Sequence, residues 1–288
     1  MRTYMKNGKS DKSLILCIVL FVALLFCQSC SAKTRAVRQR LRGKNYDISL
    51  AKILVKKELI IGLEYNLPPF CQISLLSQEI NGYDIDLIKE TCSRMGVKPV
   101  FKNIDWAKKD ELLRTGEIDC IWSCFSYTAD RAKAYTLSMP YIKTATIITV
   151  MEKSPYKTLK DLKNKTIGMQ DGSSMRSALE TLSIKYGVPI NVALYPTSSD
   201  ALIAMELGQV DGVAHDVLVV DSIINKNRRP YRIIPEALAA DECVIAFRLG
   251  DIALKNAVES VLKDMAKTDF FERASKKWFG SNISLIGR

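Results

Sequence analysis

Histidine is almost absent from this sequence, whose 288 residues include a single one, His215. The five cysteines that follow residue 32 contain no Cys-x-x-Cys pair. Because zinc sites in proteins are built mainly from imidazole and thiolate ligands, a metal site of this kind is not expected. One histidine also leaves one possible anchor for a Ser-His-Asp triad. Its neighbour Asp216 follows it in a predicted strand, where adjacent side chains point to opposite faces, and this argues against a catalytic pair.

Most of the chain has no large excess of positive over negative side chains. The formal net charge is +11, but residues 59–288 carry 29 Lys and Arg against 28 Asp and Glu, so the positive charge belongs to the N-terminal segment. A phosphate-binding face across the whole fold is therefore not expected, and we predict no nucleic-acid partner. Hydrophobic residues make up 48% of the chain and charged residues 25%, which is typical of a globular protein.

Long apolar runs are also scarce, since the sequence has one, at residues 14–26. This run is shorter than the roughly 20 residues that a membrane-spanning helix needs. Basic side chains precede it and small residues follow it, so residues 1–32 are predicted to be a secretory signal. The rest of the chain is predicted to lie in the periplasm or at the outer face of the membrane.

The end of the signal segment leaves three possibilities open. Cys30, preceded by Ser29, resembles a bacterial lipoprotein cleavage site, at which the cysteine is lipidated and holds the protein on the membrane. The alternatives are cleavage after Ala32 without a lipid, and an uncleaved anchor. Residues 33–46 are basic and have no apolar periodicity. We interpret them as a solvated linker, with contact to an anionic membrane surface as the alternative.

The remaining cysteines are Cys71, Cys92, Cys120, Cys124 and Cys243, an odd number that cannot all pair within one chain. Cys120 and Cys124 lie four residues apart in a predicted strand, about 13 Å from each other, which is too far for a disulfide. We interpret most of these cysteines as small buried hydrophobic residues. The sequence does not fix their disulfide state.

Strand-like and helix-like segments alternate along residues 47–288. The predicted strands are residues 58–64, 100–104, 119–125, 146–151, 166–169, 190–195, 210–215, 231–234 and 243–247. The predicted helices are residues 49–57, 84–95, 108–115, 173–186, 199–207, 217–225, 252–268 and 271–279. This order predicts an α/β fold with largely parallel sheets. Ligands of such folds bind beyond the carboxyl ends of the strands, so the loops there are where a site is expected.

The segment Gly82-Tyr83-Asp84-Ile85-Asp86-Leu87 resembles the signature of the family 3 extracellular solute-binding proteins. Other short matches to this family occur in the expected order, at residues 60–64, 68–70, 118–119, 126–131, 138–141, 159–162, 165–168, 171–174, 210–216 and 276–280. Members of this family are receptors of ABC importers for polar amino acids. The resemblance covers roughly residues 47–280.

The resemblance implies a two-lobed type II periplasmic-binding-protein fold, in which two parallel-rich sheets are joined by two crossover hinge strands. Carried onto this sequence, lobe one is residues 47–140 and 244–288, and lobe two is residues 146–238. Residues 141–145 and 239–243 are the predicted hinge. The implied function is capture of a polar amino acid between the lobes and its delivery to an ABC importer permease, by a monomer that needs no cofactor or metal.

The resemblance also implies which residues bind the carboxylate and the ammonium group of an amino-acid ligand. Arg131, in the setting Thr128-x-x-Arg131, is expected to bind the carboxylate through its guanidinium fork, with a surface salt bridge as the alternative. Ser174, at the start of a predicted helix, is the second carboxylate contact, while Ser173 is expected to cap that helix. Asp216 is the expected partner of the ammonium group, with a helix cap as the alternative. Ser126 and the backbone near Cys124 complete this shell.

The other candidates surround the ligand side chain. They are Glu64, at a position where the family commonly has Asp, Gln170, Cys124, Tyr83 as a stacking ring, and Leu67 at a position where other members often have a second ring. A solvated carboxylate is the alternative for Glu64, and a packing role is the alternative for Cys124. Trp122 is predicted to lie in the core. Asp84 and Asp86 are interpreted as helix-start residues.

Two other functions remain as alternatives. One is a dehydratase-like enzyme on the same fold, with Glu64 and Asp216 as acid and base. The other is the input protein of a separate sensor, although the chain ends shortly after Gly280 with no second membrane segment, which favours a freestanding receptor. An enzyme is not expected, because an arginine fork and a helix N-terminus already fit the binding of an amino acid. Glu64 suggests a cationic ligand such as arginine or lysine, while a polar neutral amino acid or cystine is equally consistent with the sequence.

Overall fold

The computed structural model describes residues 46–74, 76–185 and 187–287. The chain divides into two units, residues 1–46 and 47–288, and every described helix and strand lies in the second. The predicted signal, Cys30 and all but the last residue of the predicted linker lie outside the described residues. None of the helices in the described ranges is long and apolar enough to cross a membrane.

Helices and strands alternate through the second unit. The helices of the described residues are α1 (Ser49–Lys56), α2 (Tyr83–Met95), α3 (Lys109–Thr115), α4 (Ala129–Ala134), α5 (Met175–Lys185), α6 (Ser198–Glu206), α7 (Val217–Asn227), α8 (Ile252–Met265) and α9 (Phe270–Phe279). The strands are β1 (Glu58–Leu63), β2 (Gln72–Ile73), β3 (Ile80–Asn81), β4 (Lys98–Asn103), β5 (Cys120–Ser126), β6 (Tyr135–Leu137), β7 (Ile142–Met151), β8 (Thr166–Gln170), β9 (Asn191–Tyr195), β10 (Gly212–Asp216), β11 (Tyr231–Ile233) and β12 (Ala239–Arg248). Short 3-10 helices occupy Trp106–Lys108 and Leu159–Leu162.

Ten of these strands form one sheet. Eight of them follow the order β4-β1-β5-β12-β7-β10-β8-β9, and β6 and β11 lie off this path, paired to β12 and β7. The pairs β1–β4, β1–β5, β8–β9 and β8–β10 are parallel. The pairs that involve β12 or β7 are antiparallel. Two groups of parallel strands therefore flank a central antiparallel pair, and this pair joins the predicted two sheets into one continuous ladder.

The central pair consists of the two longest strands, β7 and β12. Residues 239–243 of β12 pair with residues 142–146 of β7, while residues 243–247 pair with β5. The predicted hinge segments fall on this pairing. We call the part around β1, β4 and β5 lobe one, and the part around β8, β9 and β10 lobe two.

Four hydrophobic clusters form the core and follow this division. Two of them draw their buried residues from positions 53–142 and 243–286, with one exception at Val219. The other two draw theirs from positions 148–234. Val219 lies on α7 of lobe two and packs into the core cluster of lobe one. The two lobes are therefore in contact through α7, and the exact boundaries of the lobes stay a prediction.

The pattern of apolar residues located most of these elements, but it missed α4, the short strands β2, β3 and β6, and the first part of β7 and of β12. Helix α4 has six residues and none of them is buried, so it has no apolar stripe from which to predict it. Strand β12 begins four residues before the predicted start. The prediction began too late because Asp241 and Glu242 interrupt the apolar run of this strand.

The cysteines require a correction. Cys124 and Cys243 form a disulfide across the β5–β12 pair, with their Cα atoms 4.9 Å apart. These two are therefore not the simple buried hydrophobic residues that were expected. The expectation is confirmed for Cys71, Cys92 and Cys120, which are free and buried. No spacing in the sequence identifies this pair, because 119 residues separate its members and the fold of the chain alone brings them together.

Candidate ligand-binding site

A cavity lies where β1, β5, β8 and β10 end. Its position agrees with the rule that ligands of α/β folds bind beyond the carboxyl ends of the strands. Eight of the nine predicted ligand contacts line it, and the ninth, Tyr83, does not. The eight are Glu64, Leu67, Cys124, Ser126, Arg131, Gln170, Ser174 and Asp216.

Arg131 enters the cavity from the short helix α4. The Thr128 hydroxyl accepts a hydrogen bond from the Arg131 backbone N–H and caps this helix. The guanidinium donates to the Ser126 carbonyl at 2.8 Å and to the Gly172 carbonyl at 3.4 Å, and it lies 3.9 Å from the centre of the Phe125 ring. Burial lowers the pKa of Arg131 to about 10, so the group stays charged at neutral pH. Among the described residues it forms no salt bridge, and the alternative of a surface ion pair is wrong.

The loop before α5 faces Arg131 from lobe two. Gly172 adopts a φ of +70°, and a Cβ atom there would lie 3.1 Å from the Lys109 Nζ atom of lobe one. The Ser173 hydroxyl donates to the Gln170 carbonyl at 2.7 Å, and this bond takes the place of the expected helix cap. Ser174 lines the cavity immediately before the first turn of α5, where free N–H groups favour an anion.

Asp216 ends β10 and serves at the same time as the N-cap of α7. Its Oδ1 atom accepts hydrogen bonds from the backbone N–H groups of Leu218 and Val219, and its Oδ2 atom accepts one from the Thr144 hydroxyl. Burial raises the pKa of Asp216 to about 6, although these hydrogen bonds act in the opposite direction. The capping role and the predicted contact with an ammonium group are therefore compatible.

Glu64 and Gln170 connect the two lobes inside the cavity. The Gln170 Nε2 atom donates to Glu64 Oε2 at 2.9 Å and to the Pro196 carbonyl at 3.4 Å, and the Gln170 Oε1 atom accepts from the Ser198 hydroxyl. Glu64 is 6% exposed, so the alternative of a solvated carboxylate is wrong. Its Oε1 atom is buried and has no hydrogen-bond partner among the described residues. Burial raises the pKa of Glu64, and the bond from Gln170 opposes this shift.

His215 lines the same cavity, which the sequence pattern did not predict. It is 2% exposed, and burial lowers its pKa to about 4. Its Nδ1 atom accepts a hydrogen bond from the Asp216 backbone N–H at 2.7 Å. Its Nε2 atom has no partner within the described part of the chain. The strand rule predicts opposite faces for His215 and Asp216, but both residues line the cavity.

Cys124 forms part of the cavity wall, and its backbone is hydrogen-bonded to the buried Asp84. The Asp84 carboxylate accepts the Cys124 backbone N–H at 2.9 Å, and burial raises the Asp84 pKa to about 7. Asp84 and Asp86 stand in the first turn of α2, as predicted. Asp86 also pairs with Lys277 at 2.7 Å, so it ties α2 to α9.

The prediction that Tyr83 stacks on a ligand is wrong. Tyr83 is fully buried at the start of α2, with its ring 5.1 Å from Phe279 and 6.5 Å from Tyr141. The aromatic residue of the cavity wall is Trp106, which follows β4 in a 3-10 helix and was missed. Trp122 lies in the core, and its prediction is confirmed.

Comparison with known proteins gives one family. The model of the "Bacterial extracellular solute-binding proteins, family 3" matches residues 59–281. The chain is 26% identical over 234 residues to "ABC transporter arginine-binding protein 1" of Escherichia coli (strain K12), a match that covers 77% of this chain and 91% of the relative. It is 25% identical over 275 residues to "L-cystine-binding protein TcyA" of Bacillus subtilis (strain 168), covering 95% and 99% of the two chains.

A solved structure shares the fold. The crystal structure of Tv2483 bound to L-arginine superposes with a TM-score of 0.79 at 35% sequence identity, and the match covers 83% of this chain and 97% of that one. The predicted two-lobed α/β architecture is therefore confirmed.

Proposed function

The chain belongs to the bacterial extracellular solute-binding proteins of family 3, and on this basis we propose that it is a receptor that holds a polar amino acid between its two lobes. The observation that carries the proposal is the content of a single cavity. A guanidinium without an ion-pair partner among the described residues, at Arg131, shares this cavity with the buried carboxylate of Asp216. These are the two charges that an α-amino acid complements.

The carboxylate of the ligand is assigned to Arg131 and Ser174. Nη1 of Arg131 is already bonded to the Ser126 carbonyl, and this bond orients the guanidinium plane. The remaining N–H groups and the Ser174 hydroxyl then serve as donors, since guanidinium matches carboxylate geometry with two parallel bonds. The ammonium is assigned to Asp216, whose carboxylate is already fixed by α7 and Thr144. Ser126 and the wall formed by Cys124 and Leu67 enclose the rest.

Lobe closure accompanies binding in this proposal. Arg131 and Glu64 belong to lobe one, while Ser174, Gln170 and Asp216 belong to lobe two. A ligand that contacts both sets binds the closed arrangement better than an open one and shifts the population towards it. Residues 141–145 and 239–243 are proposed as the hinge. The closed receptor then delivers its ligand to the permease of an ABC importer, as the names of the relatives suggest.

We also propose that the protein acts as a monomer that does not convert its ligand, and that Cys30 carries a lipid outside the cytoplasm. The membership in a solute-binding family supports the absence of ligand conversion. The bond from the Asp216 N–H to His215 Nδ1 supports it too, because it occupies the ring nitrogen that a general base would need on that side.

A thermal-shift screen tests the proposed function. The protein is heated with each of the twenty amino acids, cystine, ornithine and citrulline, and at least one is expected to raise Tm in a concentration-dependent way. Arg131→Ala is expected to abolish this shift while it leaves the fold intact. Arg114→Ala removes an exposed arginine of the same lobe and serves as the matched control. A wild-type protein that responds to no amino acid, or an Arg131→Ala variant with wild-type affinity, contradicts the proposal.

A further inference from the structure

Two buried polar atoms, on residues that line the cavity, have no hydrogen-bond partner among the described residues. They are Oε1 of Glu64, from lobe one, and Nε2 of His215, from lobe two. A buried polar atom without a partner is unfavourable, and native structures contain few of them. When two residues of one cavity wall carry such atoms, a bound molecule is a natural source of the missing partners.

The hydrogen bond at Nδ1 determines what His215 offers. Because Nδ1 accepts the Asp216 backbone N–H, this nitrogen carries no proton. The buried ring is neutral at physiological pH, so its single proton sits on Nε2. His215 is thus a fixed donor. Glu64 Oε1 is an acceptor, and the bond from Gln170 to the other oxygen holds that carboxylate in place.

The two residues lie at the same end of the cavity. Strands β8 and β10 are parallel, with Ile167 opposite Gly212 and Gly168 opposite Val213. This register, continued to the end of both strands, places His215 beside Gln170. Gln170 in turn donates to Glu64 across the cleft. His215 and Glu64 are therefore both neighbours of Gln170.

We propose that His215 Nε2–H and Glu64 Oε1 bind the side chain of the ligand, and that the receptor selects an amino acid whose side chain both accepts and donates hydrogen bonds. A carboxamide, a ureido group and the amino-carboxylate end of cystine have this property. A guanidinium has donors only and leaves the His215 proton unmatched. This inference rests on the proposed function and narrows its ligand class.

Citrulline and arginine provide the sharpest test, since their side chains share length and shape. Citrulline has a carbonyl oxygen where arginine has a nitrogen of its charged guanidinium. Isothermal titration calorimetry on the wild-type protein is expected to show binding of L-citrulline or L-glutamine at least as tight as that of L-arginine. In His215→Leu, the affinity for L-citrulline and L-glutamine is expected to fall about 10-fold, as for a lost hydrogen bond to a buried group, while that for L-arginine changes less than about 3-fold. His215→Gln keeps a side-chain donor and is expected to restore part of the loss.

Ser222→Ala is the matched control, because it removes another buried polar group without a partner among the described residues, at a position outside the cavity wall. It is expected to leave the affinity ratio unchanged. The inference is overturned if His215→Leu weakens arginine and citrulline equally, if it weakens neither, or if the wild-type protein binds arginine but neither neutral ligand. All of these leave the proposed function standing. A wild-type protein that binds no amino acid rejects both.

Discussion

At the scale of single residues, the cavity is defined by polar groups that the fold has buried and fixed before any ligand arrives. Asp216 shows this most clearly, because capping of α7 and a bond from Thr144 hold its carboxylate in one orientation. A carboxylate that needs no reorientation loses little conformational freedom on binding. The raised pKa of Asp216 reports the burial that makes an ammonium partner favourable there.

This raised pKa predicts how ligand affinity depends on pH. An ammonium group beside Asp216 favours its charged form, so affinity is expected to be constant well above pH 6 and to fall towards pH 5 as the carboxylate is protonated. In the unliganded protein the sign is opposite, since a carboxyl group with a raised pKa stabilises the fold as pH falls from about 6 towards its ordinary 3.8. Calorimetry between pH 5 and pH 8 measures the first effect.

The Asp216→Asn variant tests whether Asp216, and not another acidic residue of the cavity, causes this pH dependence of ligand affinity. Asparagine still caps α7, so stability is expected to change little. Ligand affinity is expected to weaken by about 2–5 kcal/mol, as for a truncated buried charge pair, and to lose its decline near pH 6. Asp221→Asn, at an exposed position of the same helix, is the control. A variant that keeps the wild-type pH profile would show that another group titrates.

At the scale of structural elements, the turn before α5 is one of the places where the two lobes are in contact. The Gly172 carbonyl accepts from Arg131, and its Cα faces Lys109 and the Trp106 carbonyl. Lys109 is itself buried, and burial lowers its pKa despite the nearby Asp110. A side chain at position 172 would press on lobe one in the closed arrangement.

Gly172→Ala is therefore expected to weaken both stability and ligand affinity. The positive φ costs a residue with a Cβ atom about 1–2 kcal/mol. Gly208→Ala has the same backbone cost, with a φ of +71°, but nothing lies within 4 Å of the added Cβ. Denaturant unfolding is expected to show similar losses for both variants, while calorimetry shows reduced affinity for Gly172→Ala alone. Equal affinities would mean that the turn does not contribute to closure.

Elements also show how far sequence reasoning extends. The alternation of apolar segments predicted the α/β class and most strands, because the long strands at the centre of the sheet bury half or more of their residues. The resemblance then placed Arg131, Ser174 and Asp216 at one cavity. The sequence gives no signal that Trp106 belongs to the site, because this residue follows an edge strand in a short turn. It gives none for His215 either, because His215 has the pattern of a buried strand residue. Tyr83 was misplaced because its local motif does not show that Phe279, distant in the sequence, packs on it.

At the scale of the whole molecule, three contacts show that the cleft is closed. Val219 of lobe two packs into the core of lobe one, Gln170 donates to Glu64, and Arg131 donates to the Gly172 carbonyl. Each contact joins a residue of lobe one to a residue of lobe two. The cavity is lined by residues of both lobes, so a ligand bound there is expected to favour the closed state.

A crystal structure of the protein with the tightest-binding amino acid of the thermal-shift screen would show directly whether the two charged groups of the cavity hold the two ends of one ligand. The carboxylate oxygens of the ligand are expected within hydrogen-bond distance of the Arg131 guanidinium, and its ammonium nitrogen within the same distance of an Asp216 oxygen. A ligand bound at another surface, or one held in the cavity with neither group in contact, would refute this assignment.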